Sequence, residues 1–218
     1  MRTYALCFAM LIGFTASAQT VEFGLHGNIL NFNVPEEITN IAGIPPATTE
    51  TLALQEVYGV GYGGGIHLNF VLGILRFRLA GDYSMITPDN SKFQTFLAQY
   101  VGASASAFRV EGGKVTIYGG EANLKLTILP IPVFQPYIAG GIGLSHVKAD
   151  ETKITYNNTP LAPIEMIKEQ TVMTLNGGVG ADFVLGPLSL YAEVRVNAFF
   201  LDPTTATYLP VGTLGITF

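Results

Sequence analysis

From Ile74 to Met85 the side chains switch character at every step. Leu75, Phe77, Leu79, Gly81, Tyr83 and Met85 fall on one face, and Arg76, Arg78, Ala80, Asp82 and Ser84 fall on the other. Strict alternation is the period of a strand with one apolar face. The same beat returns near Val21–Phe32, Val57–Val71, Lys114–Ile128, Phe134–Val147, Gln170–Val184, Leu188–Phe199 and Tyr208–Phe218. Beyond residue 18 no window carries a long helical period. The pattern predicts an all-β fold of eight antiparallel strands.

The connections alternate in length. Long segments are expected over Asn33–Glu56, Ile86–Gly113 and Lys148–Glu169, with a medium one at Phe200–Thr207. Short links fall at Leu72-Gly73, Leu129–Val133 and Leu185–Pro187, and carry the Gly or Pro that tight turns need. Loops beyond 20 residues are uncommon in compact domains. Here all of them fall at one end of the strands, the layout of an outer-membrane barrel.

Alternation alone does not say whether the apolar face meets a core or lipid. A lipocalin-like barrel would turn it inward. Charged residues are only 12% of the chain and mean hydropathy is +0.39, whereas a water-facing surface carries roughly 25–35% charge. The polar face holds Glu22, Arg76, Arg78, Asp82, Glu121, Lys125, Asp182, Glu193 and Arg195, four positive and five negative, among glycines, asparagines and threonines. Sparse, nearly balanced charge suits the inside of a narrow barrel, where each ion needs a partner. The reading is an up-and-down transmembrane β-barrel spanning residues 19–218, with its apolar face toward lipid.

The first 18 residues read as a secretory signal peptide: Arg2, an apolar run from Tyr4 to Phe14, then Ala16-Ser17-Ala18 before the cleavage point. The sole cysteine, Cys7, lies inside this leader, so a disulfide framework or thiolate metal site is not expected. Without the leader, 10 basic residues face 16 acidic ones, a net charge of −6, and no basic run invites nucleic acid.

Aromatics are expected in two bands. Phe32, Tyr58, Tyr83, Phe199 and Tyr208 stand beside the long loops, and Phe23, Phe70, Phe77, Phe134, Phe183 and Phe218 at the opposite ends. Such girdles mark the two membrane interfaces. Three features together resemble the small eight-stranded outer-membrane barrels of the OmpA/OmpX type. They are the Pro136-Tyr-Ile-Ala-Gly-Gly-Ile-Gly-Leu144 strand, the short-turn and long-loop alternation, and the terminal Leu214-Gly-Ile-Thr-Phe218. The resemblance implies a cell outer membrane location and a monomer amid membrane lipid and lipopolysaccharide. It also implies a C-terminal signal, Leu214, Ile216 and Phe218, read by the outer-membrane assembly machinery. Adhesins, invasion factors, narrow pores and structural proteins share this architecture.

Three sets of residues are candidates for chemistry. The interior set Arg76, Arg78, Asp82, Glu121, Lys125, Asp182, Glu193 and Arg195 forms either a salt-bridge plug or a polar path. An eight-stranded barrel is just wide enough for side chains to fill, which favours the plug. The glycines at 59, 61, 63 and 65 leave room for some water. His26 and His67 face inward on neighbouring strands without a third metal ligand. Ser145-His146 is the one nucleophile-and-base pair near the loop end, but adjacent strand residues point to opposite faces. No metal, cofactor or catalytic residue is therefore assigned. The expected role is non-enzymatic: envelope integrity, or surface contact through loops that meet an extracellular protein or small ligand. A narrow pore for ions or small solutes is the alternative, and a lipid-modifying enzyme comes third. The long loops are where recognition belongs. The second is unusually apolar, with Phe93, Phe96, Leu97, Tyr100, Val101 and Phe108. It reads as a strand extension, a short helix on the rim or a contact surface.

Overall fold

The computed structural model describes residues 20–31, 37–38, 52–53, 57–161, 163, 167–202 and 205–218. The leader, with Ala16 and Ala18, and Phe32 lie outside the described residues. In chain order the strands are β1 (Thr20–Asn31), β2 (Glu37–Ile38), β3 (Leu52–Ala53), β4 (Val60–Leu72) and β5 (Leu75–Ile86). A helix, α1 (Asn90–Val101), and a 3-10 turn at Ala105–Ala107 follow. Then come β6 (Phe108–Gly112), β7 (Val115–Thr127), β8 (Phe134–Ala149), β9 (Thr152–Tyr156), β10 (Thr159–Pro160), β11 (Gln170–Leu185), β12 (Leu188–Asp202) and β13 (Thr205–Thr217).

Eight of these strands close into one barrel in the order β1-β13-β12-β11-β8-β7-β5-β4, every pair antiparallel. The alternation in the sequence becomes an inside and an outside. Leu25, Ile66, Ile142, Val179, Val194 and Leu214 stand on the outer wall, each more than two-fifths exposed. The polar partners of that alternation are buried in the lumen. A closed barrel leaves no unpaired strand edge, and its outer face needs an apolar solvent. From Phe134 to Leu144 the outer wall of β8 is apolar; ten steps of about 3.3 Å at a tilt near 40° cover roughly 25 Å. That is the height of a lipid-facing band.

Two of the three short turns at one end are built by glycine. Gly73 (φ 66°) and Gly186 (φ 71°) take the first central position of their turns with left-handed backbone, which other side chains adopt only with strain. The barrel closes at β1 and β13, where the seam ends in a reciprocal pair: Phe23 N donates to Phe218 O (3.2 Å) and Phe218 N to Phe23 O (2.8 Å).

At the other end the long connections fold into a cap. Helix α1 starts at Asp89, whose carboxylate accepts from Ser91 N (3.1 Å) and Lys92 N (3.3 Å), and stops at Gly102 in the left-handed conformation. Strands β6, β9 and β10 make a small sheet. The turn joining β9 and β10 is Asn157-Asn158, both at positive φ, as a tight hairpin turn requires. Phe93, Phe96, Leu97 and Tyr100 recur along one helix face. They join Phe108, Val110 and Ile154 of the small sheet and Leu30, Ile86, Ile117, Phe199, Leu209 and Val211 from the inner barrel wall in one buried cluster.

Three aromatics expected in the girdles are buried instead. Tyr58 leaves the wall before β4 begins: it bridges to Pro88 and is fully buried, its hydroxyl donating to Gly113 O (2.6 Å). Burial pushes that phenol up to about 12. Phe199 sits on the inner face of β12 and packs under the cap. At the loop end the exposed band is Tyr62, Tyr83, Tyr118, Phe200 and Tyr208; at the turn end it is Phe23, Phe134, Phe183 and Phe218. Phe70 is buried beside Phe77, with ring centroids 6.2 Å apart.

Candidate functional site

The barrel interior is polar toward the short turns and apolar toward the cap. In the polar part, inward positions of β5, β7, β11 and β12 bring together all eight charged residues of the interior set. Asp182 lies between two cations: Arg76 Nη1 donates to its Oδ2 (2.8 Å), and Lys125 Nζ lies 3.2 Å from Oδ1. Arg76 also reaches Gln135 Oε1 (2.9 Å). Glu193 accepts from Arg78 Nη1 (3.3 Å) and from the Tyr137 hydroxyl (2.8 Å). The remaining cationic faces are covered by rings, with Lys125 Nζ 3.7 Å from the Tyr137 centroid and Arg78 Cζ 4.7 Å from that of Tyr191.

Nearer the cap, Arg195 is the hub. Its Nη1 donates to Glu121 Oε1, and its Nη2 lies 3.7 Å from Asp82 Oδ1. Asn176 Nδ2 holds the other Glu121 oxygen (3.1 Å). Asp82 also meets His26 Nε2 (2.8 Å) and accepts from Asn28 Nδ2 (2.7 Å). The eight residues carry four positive and four negative charges, which is how ions survive removal from water.

His26 and His67 do meet, although they are offset along their strands. The Nδ1 atoms are 3.4 Å apart, and His67 Nε2 is 3.1 Å from Thr217 Oγ1. Among the described residues, no group of three or more His, Cys, Asp or Glu side chains is arranged to hold a metal ion. Ser145 lines the lumen. His146 points outward, where its ring is 4.9 Å from that of Tyr118 and its nitrogens meet Thr171 Oγ1 (2.9 Å) and Glu169 Oε1 (3.1 Å). The two side chains are separated by the barrel wall.

The space left by the β4 glycines is already taken. A Cβ on Gly61 would stand 2.3 Å from Leu30 and 2.6 Å from Ile86; one on Gly65 would stand 2.2 Å from Gly81 O and 2.7 Å from His26. The room expected there lies elsewhere. A cavity of about 50 Å³ sits where the polar network meets the apolar cluster, lined by Asp82, Glu121, Ser145, Arg195, Phe199 and Leu209 among others. Arg195 Nε and Asn197 Oδ1, both on lining residues, have no protein partner, so this small space suits a few waters. Toward the cap, Leu30, Ile117, Phe199, Leu209 and Val211 of the inner wall pack into the buried cluster shared with α1 and the small sheet. The cap was the feature least visible in the sequence. Its local signals, Asp89, Gly102 and Asn157-Asn158, were present, but their common destination was not.

No protein-family model matches the chain, and no curated protein does. Among solved structures it is similar to a major outer membrane protein from Thermus thermophilus, at 15% identity over 92% of this chain and 99% of that one, with a TM-score of 0.49. It is similar to neisserial surface protein A at 12% identity over 90% and 95%, with a TM-score of 0.47. It is also similar to the attachment invasion locus protein Ail of Yersinia pestis, in complex with a heparin analogue, at 11% identity over 91% and 96%, with a TM-score of 0.39. Likenesses this distant carry no function across to this chain.

Proposed function

We propose that this chain is a non-enzymatic, monomeric integral protein of a cell outer membrane. Its barrel is an inert, salt-bridged anchor, and its folded cap is the working surface for contact outside the cell or for envelope integrity. One observation carries this reading: an ion network of four cations and four anions fills the polar part of the lumen, and toward the cap the inner-wall residues pack with α1 and the small sheet in one buried apolar cluster. A conducting barrel needs a continuous wet path. The apolar outer wall supports the membrane placement. Its lipid partners are phospholipid at the short-turn end and lipopolysaccharide at the cap end. Leu214, Ile216 and Phe218 fit the role of assembly signal because the outer side chains of β13 end beside the seam that Phe218 and Phe23 complete.

Planar-bilayer recording on the purified full chain tests the reading. The expected result is a quiet membrane with no unitary steps. Reproducible steps of one size would replace the anchor with the second reading, a narrow pore running through the cavity beside Arg195.

A further inference from the structure

The three short turns are not alike. Gly73-Ile74 and Gly186-Pro187 are two-residue reversals. The turn between β7 and β8 spans residues 128–133, and its sequence is Ile128-Leu-Pro-Ile-Pro-Val133, followed by Phe134. Every one of these residues is exposed, Leu129 at 54%, Ile131 at 48% and Val133 at 59%. Nothing charged lies between Thr127 and Phe134.

The segment is held in place. Ile128 N donates to Pro136 O (2.9 Å) and Ile131 N to Leu129 O (2.9 Å). On either side, Thr127 N donates to Ile74 O (2.9 Å) and Val184 N to Val133 O (2.9 Å). Two prolines stiffen it further. The outer wall from Phe134 to Leu144 already fills the roughly 25 Å of an apolar band, so Leu129, Ile131 and Val133 stand below it. A contiguous row of exposed aliphatic side chains on a fixed turn marks a contact with something apolar.

We propose that this turn is a rigid lip that dips into the phospholipid leaflet at the short-turn end. The proposal rests on the membrane-spanning reading above. Phospholipid is the occupant because the lip is continuous with the lipid-facing wall: Ile128 continues the outer row of β7 past the strand's end, and Phe134 begins that of β8. An uncharged, proline-braced apolar edge can enter the boundary between headgroups and acyl chains without burying an ion.

The test uses the full chain in a Cys7→Ser background, reconstituted into phosphatidylethanolamine–phosphatidylglycerol vesicles. Ile131→Cys, Val179→Cys on the outer wall and Lys92→Cys on α1 are each labelled with a small fluorophore. Quenching is then measured with a shallow lipid-borne nitroxide and with aqueous iodide. The probe at 131 is expected to follow the wall probe at 179, losing iodide quenching and gaining nitroxide quenching, while the probe at 92 does the reverse. Adding Leu129→Lys is expected to return iodide access at 131. Iodide quenching at 131 equal to that at 92, with 179 shielded, would overturn the lip and leave the barrel standing. Loss of shielding at 179 as well would overturn the spanning reading, and the lip with it.

Discussion

Asp182 is where two cations meet in the same small volume. Arg76 and Lys125 are both buried, and each directs its charge at this one carboxylate. Removing the carboxylate leaves two ions short of an anion in a place water does not reach, a loss of about 3 kcal/mol by analogy with other broken buried pairs. Asp182→Asn keeps the shape and part of the hydrogen bonding, so the fold should survive with a lower urea midpoint in vesicles. Glu193→Gln, which strips Arg78 of its acid, should fall in the same direction. An unchanged midpoint for both would mean that the network is incidental to stability. That these residues face inward was legible from parity alone. Which acid meets which base was not, because partners across a lumen depend on strand register and barrel stagger.

At the scale of elements, the cap differs in kind from the barrel. The wall is held by backbone ladders that continue around the whole circle, whereas α1 and the small sheet are held by one apolar cluster. Leu97 is at the centre of that cluster and fully buried. Leu97→Ala should cost about 2–5 kcal/mol of cap stability. Limited proteolysis is expected to cut the cap of this variant while the barrel fragment stays intact; equal resistance to wild type would mean that the cap does not depend on its core. Sequence reading reached the strands because period two is a local signal. It placed Tyr58 and Phe199 in the outer girdle because an aromatic at a strand end looks the same whether it turns toward lipid or under a cap. Tyr58 sits before β4 begins, and Phe199 is one step out of phase with the exposed Phe200.

At the scale of the molecule, closure decides everything. β1 can neighbour β4 without help, but only β13 turns an open sheet into a cylinder, and its last contact is the Phe218–Phe23 exchange. Deleting Phe218 should leave less protein in the compact form that runs fast unheated and slows on boiling, with the remainder degraded. Full recovery of the compact band would show that the seam closes without its last rung. The barrel and its facing were legible because lipid imposes one rule on every residue of the outer wall. The cap obeys no such rule, and its packing became visible only in three dimensions.

The Asn157-Asn158 turn carries a practical consequence. It joins two short strands of the cap sheet, both asparagines are exposed, and neither belongs to the barrel ladder. A foreign peptide spliced between them would lengthen a hairpin tip without shifting the register of any spanning strand. If the cap faces outward as proposed, an epitope grafted at that tip would be displayed at the cell surface, with both ends of the barrel seam left untouched.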